Sequence, residues 1–448
     1  VRAVTVAAGV FAPGHRGELT RQVPFELVDA VLEQTRATER RVRTRPSRVG
    51  VYLVLALALF PGLGAAKVWT SLLAGLDPGL RPSVSDKALR DLRRRIGAAP
   101  LQALFEVLAG PVAQPSTPGV RFGRYRTVAF DGCVSIKVPD TERNRSWLGK
   151  LRASFGITGY PVVRLMPLVE TGTRAMLGAV FGPTATGEID YARALLGLLN
   201  KDMLVLTDRG FDAGQFLTDL AGTGAQFLAR IRSTRSQAVL ARCDDGSYLS
   251  RIGELTVRII TADITVTCAD GTRYTAHYRL ATTLLDPRRH PARQLIALYH
   301  ERWQHEIAYL ALRHTLGEGR VLRSGDPAGL RQEMWALLTV YQALPDQASF
   351  ATALHTARDL VVHAEGITDD TRDLVGGIGR AVLTALHPPR RPRTSVRKVK
   401  SPLSRYNKKD PYRPERSTPI TGITITIGTP ETKDTTHQSK SLTTALGP

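Results

Sequence analysis

The chain has 448 residues, 43% hydrophobic and 23% charged, which is ordinary globular usage and excludes collagen-like, low-complexity and wholly disordered chains. Lys and Arg number 61 against 40 Asp and Glu, a formal net charge of +21, so a polyanionic partner is expected, nucleic acid ahead of an acidic membrane surface. Three cysteines, the closest pair 25 residues apart, make neither a disulfide framework nor a zinc knuckle and suit a reducing cytosol.

The first 110 residues read as helical, beginning with an amphipathic segment over 24–40. Residues 50–66, GVYLVLALALFPGLGAA, are apolar but shorter than the ~20 residues that span a bilayer. Pro61 and Gly62 break the run, so it predicts a buried helix over 48–59 and a cytoplasmic, nucleoid-associated protein with no membrane contact. Ser85 is placed to cap a helix reaching Arg95, with Asp86 in its first turn and Arg93, Arg94 and Arg95 at its end. A further helix follows over 100–108. Arg36, Arg40, Arg41, Arg43, Arg45 and Arg48 form a basic cluster that suits a helical DNA-binding module or a solvated face.

PVAQPSTPG (111–119) reads as a linker, after which the pattern turns strand-like. TVAFDGCVSIKV (127–138) alternates around β-branched residues, and 162–170 and 174–182 are further strands. A helix is expected over 192–200. The apolar run DMLVLTDRG (202–210) has the signature of a buried parallel strand, followed by a helix over 212–221 and a strand over 225–231. This alternation predicts an α/β domain with a mixed sheet. Residues 233–286 read as a β-rich insertion, and helical pattern resumes over 291–316, 327–343 and on to about 386. Residues 387–416 hold 11 Lys/Arg against two acids, with many prolines, and predict a disordered basic arm; ITGITITIG (420–428) is long enough to add one strand.

Three acids stand out. Asp131 interrupts an apolar strand, Asp208 ends another, and Glu306 lies in the charged helical stretch ALYHERWQHEIAYLALR. A carboxylate at the end of a buried strand is costly unless a metal or cation pairs it. At the α-helical pitch, Tyr299, Arg302, Glu306 and Arg313 fall within a stripe of about 60°. A phenol, a carboxylate and two guanidinium groups on one stripe suit a metal and a phosphate together, although an exposed Arg302–Glu306 ion pair explains the same spacing. His300-Glu301 with His305 is not a zinc-protease helix, because the two His are five residues apart instead of four.

AFDGC, LVLTDRGFD and LYHERWQHEIAYLALR, in that order, resemble the three catalytic blocks of bacterial DDE transposases of the insertion sequence 4 family. That family carries a Tyr-x2-Arg-x3-Glu-x6-Lys signature; Tyr299, Arg302 and Glu306 match it, and Arg313 stands in place of the Lys. The resemblance covers roughly residues 10–345. It implies an α/β fold with an RNase H-like catalytic core, a mixed sheet with helices, carrying a β-rich insertion and preceded by a helical N-terminal domain. The domains would be 1–115 (helical, DNA-binding), 120–232 (core, first part), 233–286 (insertion), 287–345 (core with the glutamate helix), 346–389 (helical) and 390–448 (basic tail).

The implied activity is cut-and-paste DNA transposition through metal-dependent nicking, a hairpin intermediate and strand transfer. Asp131, Asp208 and Glu306 would be the catalytic, metal-holding residues for two Mg2+ (or Mn2+) ions. Tyr299, Arg302 and Arg313 would bind a DNA phosphate, and Trp303 or Tyr248 would stack a flipped base. The partners would be double-stranded transposon ends and target DNA, held by a homodimer. A metal-dependent nuclease on the same fold, or an inactive DNA-binding relative, is the alternative.

Basic segments that contact phosphates make binding strongly salt-dependent. Deleting 390–448 should flatten the log–log salt slope of DNA binding by several units while sequence preference survives, because such an arm positions without reading bases. Filter binding over a salt series measures this, and an unchanged slope would give the arm a different partner.

Overall fold

A computed structural model of the chain describes residues 23–39, 41, 45–73, 83–113, 117, 119–130, 132–150, 152–153, 156–157, 159–235, 237–269, 271–300, 302, 312, 316–343 and 420–428. Among the described residues five helices come first: α1 (Phe25–Gln34), α2 (Ser47–Leu59), α3 (Ala65–Leu72), α4 (Asp86–Ile96) and α5 (Ala99–Leu108). The apolar run forms α2, which is buried along nearly its whole length. Helix α4 approaches it closely at Gly50, where a Cβ would lie 2.2 Å from Ile96 Cδ1. Ser85 caps α4 as expected, its Oγ accepting from Ala88 N at 3.3 Å, and Gly97 at φ 69° ends it.

The sheet follows: β1 (Arg121–Phe122), β2 (Tyr125–Phe130), β3 (Cys133–Lys137), β6 (Val162–Glu170), β7 (Met176–Gly182), β8 (Met203–Thr207) and β9 (Gln226–Arg230), with the two-stranded pair β4 (Arg152–Ala153) and β5 (Gly156–Ile157) apart from it. The expected strand over 127–138 is divided at 131–132. Its halves β2 and β3 both run antiparallel to the long β6, β2 along the C-terminal half of β6 and β3 along its N-terminal half. Strands β2, β8 and β9 are parallel neighbours, in register from Arg126 opposite Met203 to Ala129 opposite Leu206. β8 is buried at every residue because the sheet is covered on both faces: Met203 and Val205 face one core, Leu204 and Leu206 another.

Between the strands lie α6 (Glu142–Leu148), α7 (Glu188–Arg193) and α8 (Gly214–Gly222). The helix expected over 192–200 begins earlier, at Glu188, and gives way to a 3-10 turn at Leu196–Leu198, where Gly197 disfavours a continuing helix. The region 233–286 is β-rich as expected: β10 (Ala241–Arg242), β11 (Tyr248–Ile252), β12 (Leu255–Cys268) and β13 (Arg273–Thr282). It extends the core sheet, because β13 pairs with β9 from Leu280 opposite Arg230 to Thr282 opposite Leu228. Among the described residues the sheet has 12 strands: nine run β10-β11-β12-β13-β9-β8-β2-β6-β3, and β1 pairs with β2, β7 with β6 and a last strand, described below, with β12.

Helix α9 (Ala292–His300) forms the start of the helical stretch expected over 291–316, most of whose remainder lies outside the described residues. Arg302 follows in 3-10 geometry, and Leu312 and Leu316 adopt the wider π form. Helix α10 (Pro327–Ala343) packs on α2 and α5, and its Leu330, Met334 and Leu338 share one core with the N-terminal helices. Gln332 Nε2 donates to Arg93 O and Gly97 O at 2.9 and 2.7 Å, bonding α10 to the end of α4. The 346–389 segment lies outside the described residues.

Within the tail expected to be disordered, 420–428 is the strand β14 (Ile420–Gly428), paired antiparallel with β12 from Thr261 to Cys268. Alternate isoleucines explain it: Ile425 and Ile427 pack on the core beneath β12. A 390–448 deletion therefore removes a sheet strand along with charge, and neutralising the Lys and Arg of 390–416 isolates the charge effect.

Arg258 on β12 is 0% exposed. Its guanidinium pairs with Asp245 and donates to Ser247 Oγ and His290 O, both at 2.7 Å. Asp245 also accepts from Ala292 N, the first residue of α9, at 2.8 Å. Burial alone would push the Asp245 carboxyl up; hydrogen bonds from Ser247 and Ala292 and the Arg258 charge outweigh it and hold the carboxyl below its ordinary value. A depressed folded pKa stabilises the fold at neutral pH, and that contribution is lost as pH falls below about 4 and through the folded value. Asp245→Asn, which leaves a buried charge unpaired, should lower unfolding free energy by about 3–5 kcal/mol and flatten this part of the acid dependence. Denaturant titrations across pH measure both effects, and wild-type stability in Asp245→Asn would refute the pairing.

Candidate active site

Strands β2 and β8 end side by side at Phe130 and Thr207, the residues before Asp131 and Asp208. Asp131 itself, with Trp303, Glu306 and Arg313, lies outside the described residues. Asp208 caps a 3-10 turn, Arg209–Phe211, its Oδ1 accepting from Gly210 N at 2.7 Å, which orients the carboxylate. The turn is anchored by Phe211, whose ring centre lies 6.2 Å from Phe130 and 5.6 Å from Phe216.

The glutamate block is tied to this strand end. Tyr299 on α9 is 4% exposed, and its hydroxyl donates to Thr207 O at 3.0 Å. Burial raises its phenol well above the ordinary tyrosine value, although the Arg302 charge opposes the shift. Arg302, 5% exposed, sets its guanidinium carbon 5.8 Å from the Tyr299 ring centre. Tyr278 packs edge-on against Tyr299 at 5.7 Å and meets His300 Nδ1 at 3.2 Å, while Arg230 covers its ring at 4.7 Å.

Two expectations change with this geometry. Tyr299 has its hydroxyl committed to a strand carbonyl in the interior, so a phosphate contact is not the role these contacts favour. Tyr248 is 6% exposed within the core, with Arg279 at 3.4 Å from its hydroxyl, and presents no open ring face to a flipped base. Glu188, which the sequence reading did not single out, also lies at this end of the sheet. This first residue of α7 brings its carboxylate against both Gly132 and Gly210: a Cβ on either would lie 2.7 Å from Glu188 Oε1 or 3.6 Å from Oε2, respectively. Its only sequence signal, an acid in a first helical turn, is shared by any residue that complements a helix dipole.

Among the described residues no group of three or more His, Cys, Asp or Glu is gathered closely enough to hold a metal ion, and Asp208 and Glu188 are the carboxylates beside the two glycines. Among the described residues no helix is long and apolar enough to cross a membrane.

An α/β core of RNase H type with acids following adjacent parallel strands, preceded by a helical unit, defines a DDE phosphoryl-transfer enzyme. Residues 13–106 match the family described as insertion element 4 transposase N-terminal, and residues 124–343 match the transposase DDE domain. The chain belongs to the insertion sequence 4 family of DDE transposases. It is 24% identical over 429 residues to transposase InsG for insertion sequence element IS4 of Escherichia coli K12, covering 88% of this chain and 92% of that one. A piggyBac transposase synaptic complex with hairpin DNA is similar at a TM-score of 0.37 and 10% identity, covering 86% of this chain and 87% of that one, a likeness too distant to bear on the fold. The protein is thus a DNA-transposing enzyme that binds DNA, of a class that uses divalent metal ions.

If Tyr299 positions the helix, Tyr299→Phe leaves the buried Thr207 carbonyl without its donor and should cost about 1–3 kcal/mol of stability. Thermal unfolding of the DNA-free protein measures it. Unchanged stability with weakened DNA binding would return Tyr299 to the phosphate.

Proposed function

We propose that the enzyme performs cut-and-paste transposition, with Asp131, Asp208 and Glu306 holding two Mg2+ (or Mn2+) ions. The observation that carries this reading is the parallel, in-register pair β2 and β8, ending at the residues before the two aspartates. Tyr299, seven residues before Glu306, is bonded to the last residue of β8. On this reading residues 77 and 98 apart in sequence would meet at one end of the sheet.

Divalent ions, when bound, supply charge stabilisation at the scissile phosphate and make water or a 3′-OH a better nucleophile. The chain's own contributions are orientation and charge. The Gly210 N–H fixes the Asp208 carboxylate. Tyr299 fixes the helix leading into the glutamate block. Arg302 and Arg313 supply the positive charge for the terminal phosphate, Arg having the fork geometry for two parallel bonds. Attack of water on the end phosphodiester breaks one P–O bond and frees a 3′-OH. That 3′-OH then attacks the opposite strand, forming the hairpin and releasing flanking DNA. A second hydrolysis reopens the hairpin, and the 3′-OH joins target DNA with loss of a target 3′-oxygen. Two copies of the chain on paired ends would deliver both 3′-OH groups together.

Replacing Asp131 or Asp208 by Asn, or Glu306 by Gln, should abolish Mg2+-dependent nicking while end binding stays within a few-fold. Glu301→Gln is the control and should nick normally. Nicking at wild-type rate by Glu306→Gln would refute the triad. A plasmid-joining assay separates transposition from simple nuclease action, since a nuclease cuts ends without joining them.

A further inference from the structure

The N-terminal helices and the core meet at a place that the proposed chemistry does not use. Between the second half of α4 and the start of α10 lies a cleft of about 410 Å3. Four arginines line it, Arg90, Arg93 and Arg94 from α4 and Arg323 from the approach to α10, against one acid, Asp326. The rest of the lining is glycine, serine, alanine and glutamine. Pockets for small organic ligands are lined chiefly by apolar and aromatic side chains. This cleft has no aromatic or large aliphatic side chain to pack on a base or a cofactor ring.

The four guanidinium groups have different duties. Arg93 is committed to the interior, its Nη2 donating to Glu333 Oε1 at 3.0 Å and to Ser324 Oγ at 3.1 Å and its Nε to Gln332 Oε1 at 3.3 Å. Arg323 donates to Phe60 O and Leu63 O. Asp326 caps α10, its Oδ1 accepting from Gly329 N at 2.9 Å. Arg90 and Arg94 are exposed, and among the described residues neither makes a hydrogen bond or an ion pair. Asp91, which lies between them in sequence, pairs with Lys87 at 2.7 Å. Even with Glu333 set against the arginines, two positive charges are left unmatched.

Helix α4 buries Leu89, Leu92 and Ile96, and at the α-helical pitch Arg90 and Arg94 share one stripe beside that face, about 40° apart. Like charges one turn apart destabilise a helix. The helix dipole favours cations only in the last turn, which accounts for Arg94 and not for Arg90. An anion held between the two guanidinium groups relieves the repulsion and engages both.

We propose that this cleft is a docking surface for the sugar-phosphate backbone of duplex DNA. Arg90 and Arg94 contact phosphates, while Arg93, Arg323 and Gln332 hold α4 and α10 at the spacing those contacts need. This rests on the reading of double-stranded DNA as the chain's ligand. A strand lying in the cleft touches the N-terminal unit and the core together, so it sets the register of both on the duplex. Contacts of this kind position the protein and carry no sequence information.

Filter binding of the full-length protein to duplex DNA over a salt series tests it. Each phosphate neutralised adds about 0.9 to the log–log salt slope. The double variant Arg90→Gln, Arg94→Gln should therefore lose about 2 units of slope, equally for transposon-end and unrelated duplexes, with an unchanged melting temperature of the DNA-free protein. Arg90→Lys with Arg94→Lys should keep most of the slope, since an ammonium still neutralises a phosphate. A wild-type slope in the glutamine variant overturns the cleft and leaves DNA as the ligand. A loss confined to transposon ends overturns the backbone assignment, because it makes the two arginines readers of bases. Lys201 and Arg289 are exposed on other surfaces; if Lys201→Gln with Arg289→Gln flattens the slope as much, the effect is one of net charge and the cleft is overturned. Wild-type protein that binds duplex DNA without salt dependence overturns the DNA reading, and the cleft with it.

Discussion

A guanidinium removed from water is the constraint on which the second half of the fold is built. Arg258 sits inside a strand whose neighbours Val257 and Ile259 belong to the core on the opposite face, and it has no route to solvent. Its donors must therefore be met by protein, and the groups that meet them come from the β10–β11 turn and the approach to α9. Through Asp245 the arrangement extends to the first backbone N–H of α9. At the next-to-last residue of that helix, Tyr299 reaches Thr207. The β-rich insertion, which looks like an accessory in sequence, is thus mechanically connected to the strand that precedes Asp208.

The N-terminal helices are equally bound to the core. Arg93 on α4 donates to Glu333 at 3.0 Å and to Ser324 Oγ at 3.1 Å, beside the Gln332 bonds that close the end of α4. Helix α10 is therefore packed from both sides, by the DNA-binding family's N-terminal unit and by the sheet face carrying Val163, Leu165 and Val169. A boundary drawn near residue 115 separates the two patterns in sequence but not their hydrophobic core.

What the sequence makes legible is what depends on local pattern. The all-apolar α2, the Ser85 cap and the buried strand β8 each follow from neighbours within a few residues. The three acidic blocks are legible because residue type and spacing survive without knowledge of the fold. Direction is not legible. A matched Tyr299 reads the same whether its hydroxyl faces a phosphate or a strand carbonyl, and Tyr248 alternates like any strand residue until its neighbours bury it. The division at 131–132 is hidden because the period of two resumes on the far side. Arg258 reads as a solvent-facing residue of an alternating strand, since nothing local announces partners 11 to 32 residues away. Glu188 is hidden for the same reason: the glycines that make room for it belong to other elements.

The division of β12 between two partners has a consequence in time. β11 pairs with its first part, up to Ile259, and β14 with its second, from Thr261 to Cys268. The partner of the second part lies some 150 residues downstream. At a synthesis rate of about 5–20 residues per second, that edge of β12 waits roughly ten to thirty seconds on the ribosome for its strand. During that interval an unpaired edge is a template for other chains. Messages cut short before β14 would leave it so permanently, so broken messages would yield sticky, self-associating products instead of active enzyme.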